Sequence, residues 1–182
     1  MGESLDPTRH LWDRMVTLRP RVYRFAYVLV RSPDEADDLT QAALERAMTR
    51  HEQWQEGTRL DSWLFKIVHN LWLNRLSAEN VRRQHRPALS LVPTEEDGVR
   101  NAESRLTLAL VRRLIDKLPQ DQRMALLLIV VEGLSYREAA DVLEVSVGTV
   151  TSRLARARIA LRAALDDEAP RTAAGTLAGG GL

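Results

Sequence analysis

Leu11, Met15, Leu18, Val22, Phe25 and Leu29 return every three or four residues, and the same rhythm runs through most of this chain. A side chain comes back to one face of an α-helix about every 3.6 residues, whereas a strand alternates faces at every second residue. Such spacing builds apolar stripes on helices, so the expected fold is all-α. Pro20 falls inside the first stripe, over about residues 6–30, and is expected to kink or divide that helix because proline removes a backbone donor. Ser32-Pro33-Asp34-Glu35 is a helix start: Ser32 can cap, Pro33 suits the first helical position, and Glu35 can complete a capping box. The helix it opens turns Ala36, Leu39, Ala43, Leu44 and Ala47 inward and reaches about His51. Another begins at Thr58-Arg59-Leu60-Asp61 and carries Trp63, Leu64, Ile67, Val68, Leu71 and Leu76.

Periodicity fades over 77–101, where HRPALSLVPTEEDG brings two prolines and a glycine into a polar run. This stretch reads as a flexible linker. The expected organisation is two small helical domains, 6–80 and 103–166, joined by a linker over 81–102 and followed by a small-residue, Gly-rich tail, 167–182, expected to be disordered. In the second half one helix is expected over 103–118 and the next from Pro119 through Glu132, with Gly133 as its cap. Ser135-Tyr136-Arg137-Glu138 is a second capping box, and Ser146 caps a last helix from Val147 to about Leu165.

Bulk properties narrow the function. A net charge of +1 over 182 residues speaks against a protein that coats polyanions indiscriminately, but local charge is what nucleic acid feels. The absence of cysteine excludes disulfides and thiol chemistry and fits a reducing compartment. The longest apolar run, Ala125 to Val131, falls far short of the ~20 residues a membrane helix requires, and no signal peptide is evident. A cytoplasmic protein without membrane insertion is expected. His10, His51, His69 and His85 stand at no metal-ligand spacing, and no phosphate-loop or dinucleotide motif occurs. The expectation is a protein that is not an enzyme, with no cofactor, metal or small-molecule substrate.

The C-terminal half carries the positive signal. A short helix (Tyr136 to Leu143), the turn Glu144-Val145-Ser146 and a longer helix have the grammar of a helix-turn-helix. Val150, Leu154, Ala157 and Leu161 form its buried stripe, leaving Thr149, Ser152 and Arg156 along one outward face with Thr151 and Ala155 beside them. Between Ser146 and Leu165 there are four arginines, Arg153, Arg156, Arg158 and Arg162, and no acid. Short polar residues at the start of a helix and arginine further along are what a recognition helix presents to a major groove. An amphipathic helix whose arginines merely keep it soluble is the alternative. The short first helix, the three-residue turn and the two serine caps favour DNA.

Leu118-Pro119, Arg123, Glu132-Gly133-Leu134-Ser135-Tyr136, Glu138-Ala139-Ala140, Gly148-Thr149-Val150, Ser152-Arg153 and Arg156-Ala157-Arg158, in that order, resemble region 4 of an extracytoplasmic-function (ECF) RNA polymerase sigma factor of the sigma-70 family. The resemblance extends over about 21–165. DEADDLTQAALERAM resembles region 2.2 of that family, and it implies that Asp38 and Gln41 hook the clamp helices of the polymerase β′ subunit. GTRLDSWLFKIVHNLWLNRL resembles regions 2.3 and 2.4, which implies that Trp63, Lys66, Asn70 and Asn74 engage the melted −10 strand. Core packing is the competing reading for Trp63, and for Trp54 and Trp72. Thr149, Thr151, Ser152 and Arg156 would then read the −35 duplex, with Arg153 and Arg158 mainly on phosphates. Arg75, Arg82, Arg83 and Arg86 could touch phosphate upstream of the −10 element, and the acidic Thr94-Glu95-Glu96-Asp97 would cross a basic channel of the polymerase. The implied partners are core RNA polymerase (β′ clamp and β), promoter DNA and an anti-sigma factor.

Overall fold

Seven α-helices run through the residues described by the computed structural model, 7–83 and 110–175. They are α1 (Pro7–Val30), α2 (Pro33–Thr49), α3 (Leu60–Arg83), α4 (110–116), α5 (Gln120–Leu126), α6 (Tyr136–Leu143) and α7 (Val147–Gly175), with a 3₁₀ turn at His51–Gln53. The linker residues 84–102, with Arg86 and the acidic run 94–97, lie outside the described residues, as do the side chains of Arg82 and Arg83.

In the N-terminal half, α1, α2 and α3 pack face to face. Met15, Val22, Phe25 and Leu29 of the first stripe are buried, as are Leu39 of α2 and Leu64, Phe65 and Val68 of α3. Ala36, Ala43 and Ala47 have no exposed surface, so α2 seats its backbone close to its neighbours. The Phe25 and Phe65 rings meet at 5.2 Å with a tilt of 57°, a favoured aromatic geometry. Ser32 Oγ accepts the Glu35 amide at 3.4 Å, and Pro33 stands in the first turn. Pro20 does not divide α1, which is continuous from Pro7 to Val30. Pro20 and Val16 both face solvent, so the Val16 carbonyl that loses its donor four residues on can turn to water.

The C-terminal half follows the expected order with two differences. The helix opened by Pro119 does not run on as a regular α-helix. α5 widens at its end into a π turn, Leu127–Val131, in which the Glu132 amide donates to Leu127 O and the Leu134 amide to Leu128 O, both at 2.9 Å. The extra residue in the turn rotates the faces. Val130 and Val131 come out into solvent, 56% and 54% exposed, while Glu132 goes in. Gly133, with φ +67°, then reverses the chain. Second, α7 continues past Leu165 to Gly175, into the tail expected to be disordered; only 176–182 of that tail lies outside the described residues. No apolar stripe marks this extension, so periodicity alone cannot detect it.

The two halves are not held apart. α6 lies against α3 and α5 against α1, and one apolar cluster runs from Phe25, Phe65 and Trp72 through Leu128, Leu134, Val142 and Leu143 to Val150. A smaller cluster joins Leu118, Leu126, Leu154 and Ala157 beneath α7.

His69 sits in the seam between the halves, 4% exposed, with its ring 5.7 Å from that of Trp72 and Nδ1 without a hydrogen-bond partner. Burial pushes its pKa down; Arg153 adds to this, while Glu144 and Asn70 work the other way. The folded protein therefore resists a proton that the unfolded chain accepts, and stability is lost as pH falls below the ordinary imidazole value of about 6.5. In urea titrations between about pH 7 and pH 5, His69→Leu is expected to flatten that slope.

Candidate nucleic-acid interface

The helix-turn-helix is set by its caps. Ser135 Oγ accepts the Glu138 amide at 3.2 Å, and Glu138 Oε2 returns to the Ser135 amide at 2.6 Å, closing the capping box. Glu138 lies below the ordinary carboxylate range: burial works to raise it, but the Ser135 amide and hydroxyl and the charge of Arg59 prevail. Glu144 ends α6 in the left-handed region at φ +53°, a conformation that costs a side-chain-bearing residue roughly 1–2 kcal/mol. Ser146 Oγ then accepts the Thr149 amide at 3.1 Å and opens α7.

Along α7, Val150, Leu154 and Ala157 are buried and Leu161 is half-buried. Thr151, Ser152, Arg156, Arg158 and Arg162 are exposed, and Thr149 is half-exposed beside them. Thr151 Oγ1 donates to Val147 O at 2.9 Å and Ser152 Oγ to Thr149 O at 3.0 Å. Both hydroxyl protons are engaged, so each oxygen presents lone pairs outward. Arg156 Nε donates to Ser152 O at 3.3 Å, which leaves the rest of the guanidinium to project from the exposed face. Arg153 stands apart. Its Nε reaches Asp121 Oδ2 at 3.1 Å, and its side chain is only 21% exposed. Residue 153 is three after Val150 and four before Ala157, which places it on the flank of the buried stripe; its angular position in the sequence carried that signal.

In the N-terminal half Asp38 and Gln41 lie exposed one turn apart on α2, with Gln41 Nε2 donating to Glu45 Oε1 at 3.0 Å. On α3, Trp63 is half-buried and packs on the core, and Trp72 is 8% exposed. Trp54 also packs there, under the Arg14 guanidinium at 5.2 Å. Asn74 is exposed. Lys66 and Asn70 meet the other half of the protein: Asn70 Nδ2 donates to Glu144 Oε1 at 3.2 Å, and Lys66 Nζ is 4.0 Å from the same oxygen.

The sequence reading missed a charged cluster between the halves. Arg21, Arg24 and Arg59 surround Glu132, and Asp61 pairs with Arg21 and Arg59. Burial raises the Asp61 carboxyl, but Arg59, the Ser62 amide and Arg21 outweigh it and hold it below its ordinary value. A single acid at the end of the aliphatic run ALLLIVVEG was the available signal.

A capped helix-turn-helix with a cationic outer face thus stands beside a three-helix domain with an exposed acid–amide pair. Family models agree in both halves: sigma-70 region 2 matches residues 15–82 and sigma-70 region 4 matches 100–161. The ECF RNA polymerase sigma factor EcfG of Rhodopseudomonas palustris is 36% identical over 163 residues, covering 87% of this chain and 86% of its own. SigM of Mycobacterium tuberculosis is 32% identical, over 84% of this chain and 76% of its own. Among solved structures, the sigma factor RpoE of Bartonella quintana, in complex with the anti-sigma factor NepR, superposes with a TM-score of 0.67 at 26% identity, covering 85% of this chain and 95% of that one. CnrH, in complex with the cytosolic domain of CnrY, gives 0.60 at 25% identity, over 88% and 90%. The chain belongs to the ECF group of sigma-70-family RNA polymerase sigma factors, which serve transcription by binding core polymerase and promoter DNA. No helix among the described residues is long and apolar enough to cross a membrane.

Proposed function

We propose that α7 reads the −35 duplex in the major groove, that α3 captures the melted −10 strand, and that α2 hooks core polymerase. The observation that carries this is the outer face of α7, where Thr149, Thr151, Ser152 and Arg156 stand together without an acid among them. Thr151 and Ser152, with their protons engaged in the helix, are acceptors suited to the amino groups of adenine or cytosine. Arg156 suits a guanine edge, and Arg158 a phosphate. Arg153 serves chiefly to tie α7 to α5 through Asp121 and adds positive field to the same side.

Asp38 and Gln41 offer a carboxylate and an amide to a basic helix of the β′ clamp, at one turn of spacing. Lys66, Asn70 and Asn74 supply charge and amide groups for an extruded base, and Trp63 supports that surface from the core side. The linker sets the distance between the two domains that read the promoter elements. The protein acts in the cytoplasm, where its polymerase is. Its resemblance to a sigma factor solved in complex with an anti-sigma factor supports regulation by a partner of that kind.

The test is transcription in vitro from a promoter library by sigma-free bacterial core polymerase with the purified protein. New start sites that share −35 and −10 motifs are expected. Asp38→Ala combined with Gln41→Ala should cut them about tenfold or more, since hydrogen bonds to charged groups contribute about 1.5–3 kcal/mol each. A footprint by the protein alone, with no transcription, would overturn this reading in favour of a conventional helix-turn-helix regulator.

A further inference from the structure

Ile159 of α7 is 70% exposed, the most exposed large apolar side chain among the described residues. Single exposed apolar residues are common, but this one has particular company. It follows Ser152, Ala155 and Arg156 by seven, four and three residues, so the four share one stripe of the helix. All four are exposed, as is Arg162 just beyond them. No acid occurs between Ser146 and Leu165. The roll of the helix is fixed from the other side. Val150, Leu154 and Ala157 are buried, and Arg153 Nε reaches Asp121 Oδ2 at 3.1 Å on the flank. Ile159 therefore stands on the same face as the groups assigned above to the −35 duplex.

The chain uses alanine at the neighbouring exposed positions 155, 160 and 163. Isoleucine forms helix less well than alanine because of its branched Cβ. At position 159 it therefore costs helix stability and gains no burial within the protein. A protein partner explains it poorly, since apolar interaction patches extend over a few hundred Å² and Ile159 is ringed by alanine and arginine. The cationic face around it suits DNA. In a major groove, an isolated aliphatic group finds its match in the C5-methyl group of thymine, the apolar feature of the base edges there.

We propose that Ile159 is a specificity residue that reads the C5-methyl group of a thymine in the −35 element. The proposal rests on the assignment of α7 to that element and adds a position to what the helix reads. Ile159 lies roughly 4.5 Å beyond Arg156 along the helix axis, about one to two base-pair steps. The thymine accordingly stands about that far from the guanine read by Arg156. From Ser152 to Ile159 the stripe covers roughly 10.5 Å, about three base pairs, which is within the reach of one recognition helix. Covering one methyl group corresponds to about a fourfold change in binding.

The test uses the full chain with core polymerase on a promoter taken from start-site mapping. Each −35 thymine is replaced in turn by deoxyuridine, which removes the methyl group and leaves the pairing intact. Arg156→Ala first locates the contacted guanine. One deoxyuridine, within two base pairs of that guanine, should lower transcription about fourfold. Ile159→Ala should lower it by the same factor on the thymine promoter and make the protein indifferent to that deoxyuridine. The side chain is exposed and alanine is the better helix former, so folding is not at issue. The proposal is overturned if no deoxyuridine matters, if Ile159→Ala keeps the full deoxyuridine loss, or if the selected −35 elements carry no thymine within two base pairs of the guanine. A loss on Ile159→Ala that is equal on thymine and deoxyuridine promoters, with weaker binding to core polymerase, also overturns it and makes Ile159 a protein contact. Where Arg156→Ala retains its base-specific loss, only the methyl contact falls. Where neither substitution responds to any −35 base, the assignment of α7 falls with it.

Discussion

Arg156→Ala is expected to lower transcription from a cognate promoter by about ten- to a hundredfold, because one bidentate arginine–guanine contact is worth about 1–3 kcal/mol of discrimination. Arg156 is exposed on the outer face of α7, and only its Nε is spent, on Ser152 O. The loss should be specific. A promoter already substituted at the contacted base pair should show little further loss on Arg156→Ala, and that non-additivity is measurable by comparing the two single changes with the double. Arg158→Ala should behave differently. A phosphate contact has no sequence preference, so binding should weaken evenly across promoters and the salt slope should fall by about one. Equal losses on matched and mismatched promoters for Arg156→Ala would place it on the backbone instead.

Phe65→Ala is expected to destabilise the protein by about 3–5 kcal/mol, the range for removing a large buried aromatic. The ring is fully buried, meets Phe25 at 5.2 Å and carries the Arg21 guanidinium over its face at 5.9 Å. Folded domains have only about 5–15 kcal/mol to lose. The urea midpoint should therefore fall steeply, and the variant should be substantially unfolded at 37 °C. Because the cluster around Phe65 continues into α5 and α6, probes in both halves should report the loss together. A shift confined to N-terminal probes would show that the halves unfold independently.

Much of this was legible because it is local. Stripes such as Leu11 to Leu29 and Val150 to Ala157 are consequences of helical period, and the serine caps at 32, 135 and 146 are short-range hydrogen bonds that a sequence displays directly. What escaped was long-range or a matter of phase. The π turn lies in a uniformly aliphatic run, where no residue marks the extra position, so the burial of Glu132 and the exposure of Val130 and Val131 could not be read. Nothing beside Arg21, Arg24 and Arg59 in the sequence announces Glu132, which lies 73 residues beyond the nearest of them. Lys66 and Asn70 were singled out for DNA by resemblance, but nothing in their neighbourhood announced Glu144. Arg153 was the reverse case: counting around the helix from Val150 would have set it apart from Arg156.

A core that crosses the boundary between two domains also bears on lifetime. When the halves separate, Leu134, Val142 and Leu143 on one side and Trp72 on the other lose part of their cover, and exposed apolar surface invites proteases and chaperones. A partner that covers those faces would act as a shelter as well as a destination. The lifetime of an opened molecule would then depend on how quickly two small helical bundles find each other again.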